Sequence, residues 1–295
     1  MTPSHDHSEH RISCLDAKLG KSYAFYNGDS VEIAPQIPDN CVDLIVYSPP
    51  FANLFTYSPS IRDMGNVPDD ATFLESYRLL VRNLTRILRP GRNCFVHCME
   101  LPWFLWKSGR KGFRDFPGEL IKIHEECGMW YMGKTTIWKD PVTEMQRSKA
   151  ERLLYKNIRE KAEITGVGTA DYLLKFEAPG SPNRGDVILG LIDQLIPPTL
   201  LRFHKDGREN GDALHVTHTE DDISLDMWQK WASPVWMDIN QQRTHNARKA
   251  NEPGDEAHGC PLQLDTIEKV VRQYTNPGEV VFDPFGGIAS EGEGA

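Results

Sequence analysis

The chain has 295 residues, of which 39% are hydrophobic and 25% are charged, and its formal net charge is −9. This length allows one large domain or a domain with an inserted module, and the composition is that of an ordinary globular protein. No run of about 18 apolar residues and no apolar signal-peptide core is present, which argues against a membrane span and a secretory leader. None of the six cysteines forms a CxxC pair, which argues against a zinc site or a disulfide framework. We therefore expect a cytoplasmic protein with reduced thiols.

Predicted strands and helices alternate in the first half of the chain, after a polar segment (residues 1–20) that predicts a flexible tail. The apolar run 42–47 predicts a buried strand, which must end at the two prolines that follow it. Residues 70–88 carry apolar side chains at helical spacing, and the stop signal Arg89-Pro-Gly91 follows them. The pattern continues with a strand over 93–98, a helix over 117–127 and a strand over 129–138. This alternation predicts an α/β fold with a parallel sheet.

The pattern changes in residues 140–256, which are rich in Pro, Gly, Asn and charged residues and predict an inserted module with its own contacts. The module contains a basic segment that predicts a helix (146–161) and a strand-like segment (171–176). The α/β pattern resumes in residues 257–295. We therefore predict one α/β domain, made of residues 21–139 and 257–295, that the module interrupts.

The motif Ser48-Pro-Pro-Phe51 follows the first buried strand, at the carboxyl edge of the sheet, where such folds place ligands. A serine hydroxyl and the carbonyl of Pro49 can accept protons from an exocyclic base amine and orient its nitrogen toward a methyl donor. An aromatic ring at position 51 can stack on a base flipped out of the duplex. Seen alone, however, the four residues are better explained by a plain turn that ends the strand.

The motif Asp283-Pro-Phe-Gly-Gly287 follows a predicted strand over residues 279–283. Glycines after such a strand let backbone amides approach a nucleotide-like ligand closely. The motif lacks the GxGxxG spacing of dinucleotide enzymes, which makes NAD a less suitable ligand. Alone, it is also explained by a glycine-rich turn.

Together the two motifs resemble the DNA (cytosine-N4/adenine-N6) methyltransferases, in the permuted class whose catalytic motif precedes the cofactor motif. The resemblance covers about residues 22–290 and implies a Rossmann-like methyltransferase sheet with an inserted target-recognition module. It implies S-adenosylmethionine (AdoMet) as the cofactor, double-stranded DNA as the partner and no metal. Further matching segments are 27–29, 88–91 and 258–263, and segments similar to a phage and prophage branch are 146–150, 171–176 and 233–238.

The resemblance also assigns roles to residues. The catalytic and target-base residues are Ser48, Pro49, Pro50 and Phe51. The AdoMet-binding residues are Asp29, His258, Pro261, Asp283, Phe285, Gly286 and Gly287. Helix capping and packing explain His258 and Pro261 about as well. His97 and Cys98, at the end of the next predicted strand, are expected to be core residues close to the site.

The target base is predicted from the first motif position. In this family serine tends to accompany cytosine N4, whereas Asp or Asn tends to accompany adenine N6, so N4 is expected and N6 is the alternative. Cytosine C5 methylation needs a cysteine nucleophile, which in that family follows a proline, and none of the six cysteines here does so.

Contact with DNA is predicted for the basic segment of the module. The residues expected to bind phosphates are Arg147, Lys149, Arg152, Lys156 and Arg159. The net charge of −9 argues mildly against a nucleic-acid binder, and an ordinary solvated helix explains this segment equally well. A bacterial or phage-infected cell is the expected setting, and a restriction endonuclease is a conceivable partner.

Family members continue beyond the AdoMet loop with a helix, a strand that ends in an acid and usually one more helix. Here only residues 288–295 follow, so by mean element lengths roughly 30–40 residues are absent. The sequence therefore leaves an alternative open, namely a non-catalytic fragment that binds DNA weakly or needs a partner chain to complete its sheet.

Overall fold

The computed structural model describes residues 12–51, 63–103, 108–110, 112–142, 168–181, 229–244, 262–276 and 278–286. The strands in these ranges are β1 (Asp16–Leu19), β2 (Ala24–Asn27), β3 (Val42–Tyr47), β4 (Leu88–Met99), β5 (Leu101–Trp103), β6 (Gly112–Arg114), β7 (Trp130–Ile137), β8 (Asp171–Glu177), β9 (Val235–Trp236) and β10 (Val281–Phe282). The α-helices are α1 (Ser30–Ile33), α2 (Asp70–Ile87), α3 (Phe116–Glu126) and α4 (Leu264–Tyr274). In this part of the chain, no helix is both long and apolar enough to cross a lipid bilayer.

The centre of the fold is a six-stranded sheet with the order β10-β3-β4-β8-β7-β9. Strands β10, β3 and β4 are parallel neighbours, and β9 is parallel to β7. Strand β8 is antiparallel to both of its neighbours, β4 and β7, so it alone runs against the other five. The predicted α/β class is confirmed, but the expectation of a wholly parallel sheet is wrong because of this one reversed strand.

Strands β8 and β9 lie within residues 140–256, the segment predicted to be a module with its own contacts. The structure instead places both strands in the central sheet, where β8 is hydrogen-bonded on both sides. The side chains of Leu173, Leu174 and Phe176 are buried, because β8 is covered on both faces. The boundary drawn at residue 140 therefore does not separate two sheets, and the remainder of the predicted module lies outside the described residues.

The first described residues form a hairpin instead of a tail. Strand β1 pairs antiparallel with β2 over all four of its residues, and the turn is closed by the bond from the Gly20 N–H to the Tyr23 carbonyl (2.8 Å). The predicted flexible tail therefore does not extend to residue 20, since residues 16–19 are a strand.

Helix α2 packs along one face of the sheet, as its apolar spacing predicts. It begins where the Asp69 carboxylate accepts a hydrogen bond from the Thr72 N–H (2.8 Å), which satisfies one of the free amides of the first turn. The helix buries one stripe of side chains: Phe73, Tyr77, Leu80, Val81, Leu84 and Ile87. It ends at Leu88, which is already the first residue of β4.

The stop signal Arg89-Pro-Gly91, which follows the predicted helix, lies in a bulge at the start of β4. Pairing with β3 steps from Val42 opposite Leu88 to Leu44 opposite Asn93, so four residues of β4 face Asp43 alone. Gly91 adopts a left-handed backbone conformation (φ 71°) there, which glycine tolerates without strain. The bulge brings Arg89 and Arg92 onto the Asp43 carboxylate.

The Asp43 carboxylate is almost fully buried and joins three parts of the chain. Its Oδ1 lies 2.5 Å from Nη1 of Arg89 and 3.3 Å from Nη2 of Arg92. Its Oδ2 accepts a hydrogen bond from the Val280 N–H (2.9 Å). Arg92 also pairs with Glu279. These contacts fix the segment that leads into β10 beside β3, although 237 residues separate Asp43 from Val280.

We expect the substitution Asp43→Asn to destabilise the fold by about 3–5 kcal/mol, because it removes one of the two carboxylates that contact the buried Arg92 guanidinium. The matched control is Glu126→Gln, which breaks the exposed Arg78–Glu126 pair and should cost less than about 1 kcal/mol. Urea unfolding followed by circular dichroism measures both changes. Equal, small losses in the two variants would contradict the role given to Asp43.

A second buried polar network lies on the face covered by α2 and α3. The hydroxyl of Tyr47 lies 2.7 Å from that of Tyr77 and 3.2 Å from Nε2 of His124. Nδ1 of His124 lies 2.8 Å from the Leu120 carbonyl, which can only accept, so Nδ1 carries the proton and Nε2 accepts from Tyr47. Burial lowers the pKa of His124 from 6.5 to about 4, so the ring is neutral at pH 7.

This pKa predicts a loss of stability in acid. Between pH 6.5 and about 4 the unfolded chain binds a proton at His124 and the folded chain does not, so the stability that is complete above pH 6.5 falls as the pH is lowered. The loss attributable to His124 is about 3 kcal/mol. Urea unfolding at pH 7 and pH 4.5 should show a smaller acid loss in His124→Leu than in the parent chain. An identical loss in both would sink this explanation.

Candidate active site

The two sequence motifs meet at one edge of the central sheet. Strands β3 and β10 are parallel neighbours, with Phe282 opposite Ile45, so the loops that follow them leave the sheet on the same side. The rings of Tyr47 and Phe285 pack together with their centroids 5.7 Å apart. The structure therefore places Ser48-Pro-Pro-Phe51 and the Asp283-Pro-Phe-Gly motif next to each other at this edge.

Side-chain alternation places Ser48 on the face opposite Tyr47. Leu44 and Val46 belong to the core cluster on one face of the sheet, and Ile45 and Tyr47 belong to the cluster on the other. Ser48 continues the first series and is only partly buried. Its Oγ lies 3.2 Å from Nδ1 of His97 and 3.3 Å from the carbonyl oxygen of the same residue. The serine hydroxyl is thus held by the strand next to its own.

A chain of buried polar groups continues from His97 across the sheet. Nε2 of His97 lies 3.0 Å from Oδ2 of Asp171, the first residue of β8. Oδ1 of Asp171 lies 2.6 Å from the amine of Lys139, which follows β7. The side chains of His97 and Asp171 are 4% and 2% exposed, and among the described residues Nε2 of His97 and Oδ1 of Asp171 have these charged contacts and no further polar partner of hydrogen-bonding geometry. These contacts are therefore what compensates both groups for their burial.

The surroundings of Asp171 keep its carboxyl group ionised. Burial acts to raise its pKa, but the neighbouring His97 and Lys139 side chains outweigh burial, and the pKa is lowered from 3.8. A carboxylate can only accept protons, so the proton on the His97 ring is drawn to Nε2. Nδ1 can then accept a hydrogen bond from the Ser48 hydroxyl, for which the His97 carbonyl is the other acceptor in reach.

The remaining residues of the first motif shape the loop. Pro49 is buried and Pro50 is partly buried, which fixes the backbone after Ser48. Phe51 is 2% exposed and packs in the core cluster that includes Tyr47 and Phe73. Its ring is therefore a core side chain in this structure, and stacking on a base, the role expected from the sequence, is not supported by this placement.

The second motif forms a short turn whose backbone is accessible. Oδ1 of Asp283 accepts a hydrogen bond from the Phe285 N–H (2.8 Å), which closes the turn. A Cβ added to Gly286 would meet no atom within 4 Å among the described residues, so packing does not require glycine there. An open approach to this backbone is what a nucleotide-like ligand needs, and the turn therefore fits AdoMet.

Asp29 has a local structural role. Its Oδ1 accepts a hydrogen bond from the Val31 N–H (2.8 Å) and caps the N-terminus of α1. This capping explains the residue without a ligand, and its predicted contact with AdoMet stays a prediction. Other predicted site residues lie outside the described residues, namely His258, Pro261, Gly287, Arg147, Lys149, Arg152, Lys156 and Arg159.

The sequence did not identify His97, Asp171 and Lys139 as parts of one site. His97 was expected to be an ordinary core residue near the site, and Asp171 was assigned to the separate module. Strand alternation alone places His97 on the face of Phe95, but the partner of His97 depends on which strand lies next to β4. Among the described residues, no group of three or more His, Cys, Asp or Glu side chains could hold a metal ion.

The profile of the N6/N4 DNA methylase family matches residues 42–290. The chain is 25% identical over 276 residues to the Type II methyltransferase M.BamHI of Bacillus amyloliquefaciens, a match that covers 91% of this chain and 50% of that protein. It is 24% identical over 270 residues to the Type II methyltransferase M.BglII of Bacillus subtilis, covering 90% of this chain and 60% of that protein. The chain thus spans about half the length of these relatives.

The fold is similar to two solved structures. The first is TTHA0409 from Thermus thermophilus, in complex with S-adenosyl-L-methionine, with a TM-score of 0.56, 19% identity and coverage of 91% of this chain and 81% of that one. The second is the cytosine-N4-specific PvuII DNA methyltransferase, with a TM-score of 0.54, 18% identity and coverage of 92% and 76%. At these identities the likeness concerns the fold.

Proposed function

This chain belongs to the N6/N4 DNA methylase family, and we propose that it transfers a methyl group from AdoMet to the N4 amine of cytosine in double-stranded DNA. The observation that carries the proposal is the position of Ser48. Ser48 is partly exposed at the sheet edge, beside the strand β10 that leads into Asp283, and a contact from the neighbouring strand β4 holds its hydroxyl in place.

Methyl transfer to a base amine depends mainly on how the enzyme orients the amine nitrogen toward the methyl donor. The lone pair of an exocyclic base amine is delocalised into the ring, so the nitrogen must be turned toward the donor and its protons must be accepted. The Ser48 hydroxyl is an acceptor as well as a donor, and the rigid Pro49-Pro50 backbone fixes the carbonyl that follows it. Bound AdoMet supplies an electrophilic methyl group on a sulfonium centre.

The residues that would hold AdoMet are those of the second motif. Asp283 and Phe285 form the turn, and Gly286 leaves its backbone open. The binding of AdoMet by TTHA0409 and the cytosine-N4 specificity named for the PvuII enzyme support the choice of cofactor and base. Both curated relatives are Type II methyltransferases, which supports a DNA substrate.

The substitution Ser48→Ala tests the catalytic assignment. We expect methyl transfer from labelled AdoMet to unmethylated genomic DNA to fall by about 100-fold, because a positioned acceptor is lost. AdoMet affinity, measured by titration calorimetry, should stay within about twofold, since Ser48 is not assigned to the cofactor turn. Mass spectrometry of the nucleosides should show N4-methylcytosine as the product of the parent chain.

Each other outcome has a defined meaning. N6-methyladenine would retain the family activity and overturn the choice of base. A parent chain that binds AdoMet and DNA but transfers no methyl group would overturn the proposed activity. Full activity of Ser48→Ala would remove Ser48 from the mechanism.

The substitution Gly286→Ala tests the cofactor turn. We expect AdoMet affinity to fall by about tenfold, because the added methyl group enters the space that a ligand would use. The free energy of unfolding should change by less than about 0.5 kcal/mol, since that space is open among the described residues. Titration calorimetry and urea unfolding measure the two quantities, and unchanged affinity would place the cofactor elsewhere.

A further inference from the structure

We propose that His97, held by Asp171 and Lys139, positions Ser48 and takes up the proton that Ser48 passes on during methyl transfer. The inference rests on the proposed function, because it concerns the same serine. It adds three residues from three different strands or strand ends to the site. It also gives a reason for a buried histidine and a buried aspartate at this edge of the sheet.

Ser48, His97 and Asp171 share one face of the sheet because side chains alternate along each strand. His97 lies on the face of Phe95 in β4, and Asp171 lies on the face of Leu173 in β8. Strand β8 runs opposite to its neighbours, so its first residue stands at the edge where β3, β4 and β7 end. The reversal therefore carries a carboxylate to the edge at which Ser48 stands.

The contacts of the two ring nitrogens indicate which nitrogen of His97 carries the proton. Asp171 engages Nε2 at 3.0 Å, and the Ser48 hydroxyl lies 3.2 Å from Nδ1. Because a carboxylate accepts, Nε2 carries the ring proton, and Nδ1 is left to accept the serine proton. Among the described residues, the amine of Lys139 lies 2.6 Å from the second carboxylate oxygen of Asp171.

Methylation of an amine releases a proton that must be taken up. As the nitrogen forms its bond to the methyl carbon, the carbon–sulfur bond breaks and the sulfur leaves as a neutral thioether. One N–H proton then passes to Oγ of Ser48, and the hydroxyl proton of Ser48 passes to Nδ1 of His97. The product is a neutral methylated amine, and the imidazolium faces the Asp171 carboxylate until it loses its proton to water. Ser48 alone could not take up this proton, because a serine hydroxyl is too weak a base at neutral pH and needs a neighbouring base to accept its own proton.

His124, which with His97 is buried among the described residues, shows what a purely structural role looks like. His124 bonds to Tyr47 and to the Leu120 carbonyl, and Tyr47 and Tyr77 are fully buried. His97 instead ends at a hydroxyl that is partly exposed at the sheet edge. A histidine that served packing alone would not need this partner.

Kinetics of the full chain with AdoMet and duplex DNA test the proposal. We expect His97→Gln to lower kcat by about 100-fold and to leave KM for DNA within about twofold, since glutamine preserves a polar contact but takes up no proton. The dependence of kcat on pH that the parent chain shows should be absent in the variant. Asp171→Asn should lower kcat to a similar extent, because an amide donates to Nε2 and forces the ring proton onto Nδ1.

The matched control is His124→Gln, which removes a buried histidine from the opposite face. It should reduce stability and leave the pH profile of kcat unchanged. A pH profile that persists in His97→Gln, or a kcat loss in that variant no larger than in His124→Gln, would overturn the proposal.

A measurement without turnover separates this inference from the proposed function. Nitrogen-15 NMR of the histidine rings should show the Nε2–H form of His97 in the parent chain, a changed Nδ1 shift in Ser48→Ala and the Nδ1–H form in Asp171→Asn. An Nδ1–H form in the parent chain, or an Nδ1 shift that ignores Ser48→Ala, would overturn the assignment of His97. Absence of methyl transfer by the parent chain would instead overturn the proposed function.

Discussion

The Asp43 carboxylate is the contact on which the position of both motifs depends. It is buried between two arginines of the β4 bulge, and it accepts the Val280 N–H at the entrance to β10. It adds to the two paired residues of β10 and to the Val280 carbonyl, which accepts from the N–H groups of Asp43 (2.9 Å) and Leu44 (3.1 Å). The charge is costly to bury, and it is compensated because the bulge brings Arg92 to the same point. The first motif leaves β3 and the second leaves β10, so this buried pair sets the distance between them.

The reversed strand β8 is the second constraint, and it acts on the chemistry of the site. Parallel strands deliver their carboxyl ends to one edge, where β3 and β4 provide Ser48 and His97. A parallel strand in the place of β8 would deliver its last residue there. Because β8 is antiparallel, its first residue, Asp171, meets His97 instead. The order of strands and the direction of one of them thus decide which groups compensate the buried histidine.

The local sequence pattern was sufficient to predict helices and strands, but it did not predict which strands pair with each other. The apolar run 42–47 predicted β3, and the helical spacing of 70–88 predicted α2, to within one residue. Both patterns are local, because β3 is buried on both faces and α2 buries one stripe of side chains. Strand β8 was also recognised, but its place between β4 and β7 depends on pairing across long stretches of chain, which no local period encodes. Asp171 was therefore missed as a site residue. Phe51 shows the opposite error, since its motif suggested a base contact and its ring lies in the core.

Two consecutive residues show how one strand serves both stability and chemistry. Tyr47 and Ser48 point to opposite faces of the sheet, and each lies 3.2 Å from a ring nitrogen of a histidine. The Tyr47 side ends inside the core, where burial holds His124 neutral with a pKa of about 4. The Ser48 side ends at a partly exposed hydroxyl, with a carboxylate behind the histidine. The same residue type therefore has a fully buried tyrosine partner on one face and a partly exposed serine partner on the other, where we propose that it takes up a proton.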